Sequence, residues 1–221
     1  MHSAPASQAP KETGQALLEA AIFCFAEKGF EGASIREIAK RAGKQVSLIG
    51  YHFGNKEGLY LKCFHYIFQR YPGAEIDTAY KDLDAIRKDR GLAARALRAE
   101  IHCMMQDLFG NSDEPLAQAS IRMFTMEMQS PRPILHELYR ERVSGSMQLI
   151  KACLASLRPG IPDDEIAFLG QCIHGQCLIQ RLATGLNAIL WKSSFPSYSP
   201  AALADRIADF VLPGLGVTEP S

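Results

Sequence analysis

Long apolar runs are missing from this sequence: nowhere do about 18 apolar residues follow one another, which argues against a membrane-spanning helix. Net charge is missing too. Twenty-four Lys and Arg balance 24 Asp and Glu over 221 residues, so attraction to a polyanion must come from local clustering. No alternating apolar–polar stretch persists long enough for a half-buried strand. The opening MHSAPASQAPKETG has no basic segment leading into an apolar one, so it reads as a flexible Ser/Ala/Pro tail (1–10) and not as a secretory signal. With 47% hydrophobic and 22% charged residues, the chain has the make-up of a soluble globular protein expected in the cytoplasm.

Paired cysteine motifs are absent as well. Six cysteines are scattered through apolar sequence without a CxxC, the pattern of buried reduced thiols. Cys172, His174 and Cys177 are the one tight group, but on a helix positions 172 and 174 diverge by about 200°, counting 100° per residue. No metal and no other cofactor is expected. A thiol-dependent enzyme would need Cys, His and an orienting group converging in a cleft, and the apolar setting of the cysteines suits packing better.

What is present is helical periodicity, and it predicts an all-α fold. Leu18, Ala21, Ile22 and Phe25 mark one buried stripe, stopped at Gly29. Ser34 and Glu37 form a capping-box pair ahead of Ile35, Ile38, Ala39 and Ala42, and Gly43 ends that short segment. Val46, Ile49 and Phe53 mark another, closed by Gly54-Asn55, and Asn55 can cap a longer helix from Lys56. Residues 34–53 therefore read as a helix-turn-helix braced by longer helices, with Ile35, Ile38, Ala39, Ile49 and Phe53 in its core.

Further stripes follow: Leu97 to Leu108, Ala117 to Gln129, and Ile134 to Leu157. Breaks fall at Tyr71–Gly73, at Gly110-Asn111 and at Pro159-Gly160. The segment 163–184 is apolar on nearly every side, which means burial all round or sharing with a second subunit. A last helix spans about 199–212.

Positive charge collects on the helix-turn-helix: Arg36, Lys40, Arg41 and Lys44 against Glu37 alone, with Lys56 and Lys62 beyond. Charges alone suit a solvated helix face equally well. Beside a candidate reading helix they suit phosphates. Gln45 and Ser47 can hydrogen-bond base edges, Val46 and Leu48 can meet thymine methyls, and Tyr51, His52 and Lys56 can hold phosphate oxygens. Tyr51 as a half-buried core aromatic and His52 as a surface or turn histidine remain open. Gly50 either leaves room for a close approach or simply weakens the helix.

The stretches ALLEAAIFCFAEKGFEGASIREIAKRAG and YHFGNKEGLY together resemble the N-terminal domain of the TetR/AcrR family of bacterial transcriptional regulators. The likeness covers about residues 11–71. It implies a DNA-binding domain there, a ligand-binding and dimerisation domain over 72–215, and a short tail at 216–221. MFTMEMQSPRPILHELYRERV and HGQCLIQRLATGLNAIL are similar to the CerR-type ligand-binding domain.

By this resemblance the protein is a homodimeric repressor of a pseudo-palindromic operator in double-stranded DNA. It pairs through helices about 163–184 and 199–212, and a small-molecule effector releases it. Its DNA contacts would come from Ser34, Arg36, Lys44, Gln45, Val46, Ser47, Leu48, Tyr51, His52 and Lys56. Two positions depart from the family pattern: Lys44 stands where a buried Val is usual, and Gly50 where Tyr or Asn is common. An all-helical ligand-binding protein without DNA binding is the alternative.

An effector cavity would draw on Met104, Met105, Phe124, Met128, Phe168, His174 and Trp191, or these residues form plain core. Arg122, Glu127, His174 and Arg181 interrupt apolar segments and either orient a ligand or pair with one another.

Overall fold

The computed structural model describes residues 8–70, 80–109, 114–192 and 197–217, with side chains from residue 12 onward. The breaks expected at Tyr71–Gly73 and Gly110-Asn111, and most of both expected tails, lie outside the described residues. Eleven α-helices and no strand occur among those described. By contacts the chain divides into two units, 1–72 with 112–139, and 73–111 with 140–221. Helix α7 (Pro115–Met128), placed in the second domain by the sequence reading, packs in the first unit along α1 (Gln8–Gly32).

In the first unit, α1, α2 (Ile35–Arg41), α3 (Ser47–Phe53) and α4 (Lys56–Arg70) surround Leu17, Ile22, Phe25, Ile38, Ile49, Leu59 and Phe64, all essentially inaccessible to solvent. Helix α1 begins at Gln8 and leaves helical geometry at Gly29, whose φ of 71° marks the stop expected there. Ser34 caps α2 by accepting from the Glu37 N–H, but only half of the capping box forms. The Glu37 carboxylate is drawn instead to the Lys28 ammonium at 2.5 Å. Ile35, expected in the core, is 37% exposed because α2 is a short helix that buries only Ile38 and Ala39.

The turn between α2 and α3 is a Schellman motif. The Gly43 N–H donates to the Lys40 carbonyl and the Lys44 N–H to the Ala39 carbonyl, with Gly43 at φ 63°. This geometry satisfies the carbonyls that end α2 and fixes where α3 starts.

The second unit is built on α6 (Arg90–Phe109), α9 (Asp163–Leu182) and α11 (Pro200–Gly214), with most of α8 (His136–Leu157) and the short α5 (Leu83–Lys88). Its core holds Ile86, Leu97, Ile101, Met105, Ile150, Leu154 and Leu157. Arg90 ties the end of the chain to this unit, donating to the carbonyls of Leu215 and Gly216. Helix α10 (Thr184–Leu190), a segment to which the sequence reading assigned no helix, begins where Ala183 (φ −89°, ψ 6°) ends α9.

Candidate nucleic-acid interface

Helix α3 is short, and its stability comes from what holds it. Ile49 is fully buried, and Leu48 and Phe53 pack partly against the same core. At its end Gly54 (φ 77°) reverses the chain, and Asn55 accepts from the Gly58 N–H at 2.8 Å to start α4. The first turn of α4 lies so close to α3 that a Cβ at Gly58 would stand 2.2 Å from the Phe53 carbonyl oxygen. Gly58 is thus the residue that lets α3 seat on α4, a requirement the sequence reading did not identify. Its only signal was a glycine inside the helix-start pattern NKEGL.

The outward face of α3 is free. Gln45, Val46, Ser47 and Gly50 are exposed, and Tyr51 is 81% exposed, its ring meeting that of His52 edge-on at 5.0 Å. A Cβ at Gly50 would meet open space, so packing among the described residues does not require glycine there. An exposed tyrosine beside polar residues on a braced helix gains nothing for folding. The half-buried reading of Tyr51 therefore falls away, whereas His52 is partly buried.

The positive charges separate into two sets. Arg41 pairs with Glu27 at 2.7 Å and lies over the Phe23 ring, and Lys28 pairs with Glu37, so these cations brace α2 against α1. Arg36, Lys40 and Lys44 are exposed and have no ion-pair partner among the described residues. Lys44 reaches solvent and does not replace a buried valine, because the Schellman turn points its side chain outward. Lys56 turns inward: its ammonium donates to the Glu31 carbonyl and sits 4.6 Å from the Phe30 ring centroid.

Glu127 of α7 forms a buried clasp on this brace. It accepts from the Tyr60 hydroxyl at 2.7 Å and from the Arg132 N–H at 2.6 Å, while the Arg132 guanidinium stacks 4.2 Å over Phe30. Burial and this carboxylate push the Tyr60 hydroxyl well above its usual range. A cleft of about 230 Å³ opens beside the clasp, lined by Phe25, Phe30, Tyr60 and Met126 among others. Glu127 thus pairs with Tyr60 and Arg132 and not, among the described residues, with Arg122, His174 or Arg181, the partners that the sequence reading had offered.

The seven residues singled out for an effector cavity fall in both units. In the first, Phe124 joins a ring cluster with Phe68 and Tyr139, and Met128 is exposed. In the second, Met105 is fully buried core and Met104 partly so, His174 holds the Gly170 carbonyl through Nδ1, and Phe168 and Trp191 are exposed. Arg122 is exposed, and Arg181 lies over the Phe109 ring.

Burial raises the thiols of Cys63, Cys103, Cys153 and Cys177 above their usual range, which keeps them protonated and poorly nucleophilic near neutrality. No described helix is long and apolar enough to cross a membrane, and no group of three or more potential ligand residues among those described could hold a metal ion.

Known proteins share this architecture. Residues 17–63 match the family described as bacterial regulatory proteins, tetR family. The transcriptional repressor AcnR of Corynebacterium glutamicum is 44% identical over 186 residues, spanning 84% of this chain and 89% of that protein. The regulator RutR of Escherichia coli is 32% identical over 129 residues, 58% of this chain and 54% of RutR. Among solved structures, the hemolysin II transcriptional regulator HlyIIR superposes with a TM-score of 0.59 at 21% identity, covering 91% of this chain and 97% of that one. The fold, the exposed face of α3 and the likeness to AcnR over most of both chains agree: the chain belongs to the tetR family of bacterial regulatory proteins and is a DNA-binding transcriptional regulator.

Proposed function

We propose that this protein is a cytoplasmic homodimeric repressor that grips a pseudo-palindromic operator through two copies of α3 and lets go when a small molecule binds its second unit. The observation that carries the reading is the outward face of α3, exposed on a helix held by its buried Ile49 and by α4. Gln45 and Ser47 reach base edges, Val46 meets thymine methyls, and Tyr51, Arg36 and Lys44 hold phosphates. Ser34, already a helix cap, and His52 border this surface, and Leu48 and Lys56 serve the brace more than the groove. The reading domain comprises residues 11–71 with α7 packed on it, and the remainder to residue 215 binds effector and partner.

Pairing is supported by α9. Phe168, Cys172, Gly175, Ile179 and Leu182 are all exposed and spaced four, three, four and three residues apart, the seam of a knobs-into-holes contact. Phe210 on α11 is exposed as well. A second copy of the same helices covers such a face by two-fold symmetry. Repression follows the activity named for AcnR.

Selection of bound fragments from random double-stranded DNA tests the proposal. The expected product is an inverted repeat whose half-sites lie one helical turn, about 10 bp, or a multiple of it apart. Recovery of unrelated sequences, or of a single unpaired half-site, would contradict it.

A further inference from the structure

Helix α10 buries none of its seven side chains. Isolated helices shorter than about 12–15 residues are marginal in water, so a short one is held by what its apolar face covers. Here Leu186, Ile189, Leu190 and the capping Trp191 are all exposed, Ile189 at 73%. From Leu182 to Trp191 the sequence LATGLNAILW holds no charged residue. Single apolar side chains are ordinary on a surface, but an uncharged run of them on one short helix marks a contact.

The break before α10 is hydrogen-bonded across. The Ala183 N–H donates to the Ile179 carbonyl at 2.9 Å, and the Asn187 N–H to the Ala183 carbonyl at 2.7 Å, so helical bonding runs up to the break and resumes from it. The Thr184 hydroxyl donates to the carbonyls of Gln180 and Arg181, 3.2 and 3.0 Å away. The row that α9 exposes from Phe168 to Leu182 therefore has a continuation: four and then three residues further stand Leu186 and Ile189. The spacing of a two-helix seam persists through the break.

We propose that α10 belongs to the subunit interface: a second copy of this chain covers Leu186 and Ile189 as a continuation of the α9 seam, and Trp191 is buried at the edge of that contact. The inference rests on the reading that the chain pairs through α9. Area points the same way. A stable interface removes about 800 Å² from each partner, spread over roughly 20–30 residues, more than the exposed apolar residues of α9 and Phe210 supply. Helix α10 and its cap add four large apolar side chains, among them tryptophan, a residue type that often anchors a contact. Its chemistry disfavours other occupants. A helix that lies on a membrane carries Lys and Arg on its polar face, and DNA needs cations; α10 has none.

Trp191 is the single tryptophan of the chain, so its fluorescence reports this contact alone. The test combines sedimentation with acrylamide quenching of Trp191 in the whole protein without DNA, for wild type and for Ile179→Asp, a substitution in the α9 seam outside α10. Wild type is expected to sediment as two chains with Trp191 shielded, and the variant as one chain quenched several-fold more strongly. A second protein, Leu186→Ser with Ile189→Ser, is expected to keep native circular dichroism, because neither side chain is buried, and to pair about tenfold more weakly or worse. Should it misfold, the quenching of wild type decides alone. A paired wild type whose Trp191 is quenched as strongly as in urea overturns the inference and leaves pairing through α9 intact. Undiminished pairing of the folded double variant overturns it too. A wild type that sediments as one chain refutes pairing itself, and the inference with it.

Discussion

Replacing Gly58 by alanine is expected to cost the folded protein about 1–3 kcal/mol, the range for forcing extra volume into a packed interior. Alanine is the better helix former, so in open space the same change would stabilise a helix by up to ~1 kcal/mol. At Gly58 the space is closed. The added Cβ would lie 2.2 Å from the Phe53 oxygen and 3.3 Å from its carbonyl carbon, and these are backbone atoms that no rotamer change can move. Relief requires α3 to shift on α4, and α3 carries the reading face. DNA affinity is therefore expected to fall further than the stability loss alone explains. Urea midpoints measure the first effect and DNA titrations the second. Gly145→Ala is the control, since a Cβ in that exposed turn of α8 meets nothing within 4 Å. A Gly58→Ala protein as stable as wild type would show that α3 does not sit as described.

A single charge in the α9 seam is expected to separate the subunits. Phe168 is 59% and Ile179 49% exposed in the isolated chain, although each is a large apolar side chain on a helix face that also presents Leu182. Ile179→Asp places two carboxylates, one per protomer, in a contact that two-fold pairing would desolvate. Sedimentation is expected to give the mass of one chain where wild type gives two. Operator affinity is expected to fall by about 10²–10⁴, because the second head loses the effective concentration that linkage supplies. Ile179→Leu should change neither quantity. A dimer that survives the aspartate would move the pairing surface off α9.

The elements of the first unit were legible because local chemistry decides them. Ser34 caps, Gly43 and Gly54 turn, and Asn55 starts α4, each by side-chain or backbone preferences that act within a few residues. Tertiary consequences were less visible. Ile35 followed the apolar period yet stays half in solvent, and Lys56 matched a phosphate-binding role yet turned to Phe30 and the end of α1. Neither outcome can be read from spacing, since each depends on which helix lies alongside. The same holds for Gly58, whose need appears only once Phe53 is placed beside it. The residues chosen by type for an effector cavity were the least legible part, because apolar side chains spaced along the sequence fell in both units.

The most direct measurement of the central claim compares wild type with a protein carrying Gln45→Ala and Tyr51→Ala, on the selected operator and on scrambled DNA at two salt concentrations. Both side chains are exposed, so the variant should melt like wild type. The account predicts at least a tenfold loss of operator affinity with a smaller loss on scrambled DNA, since Gln45 reads bases while Tyr51 holds phosphates. Operator binding unchanged in a correctly folded variant would contradict it.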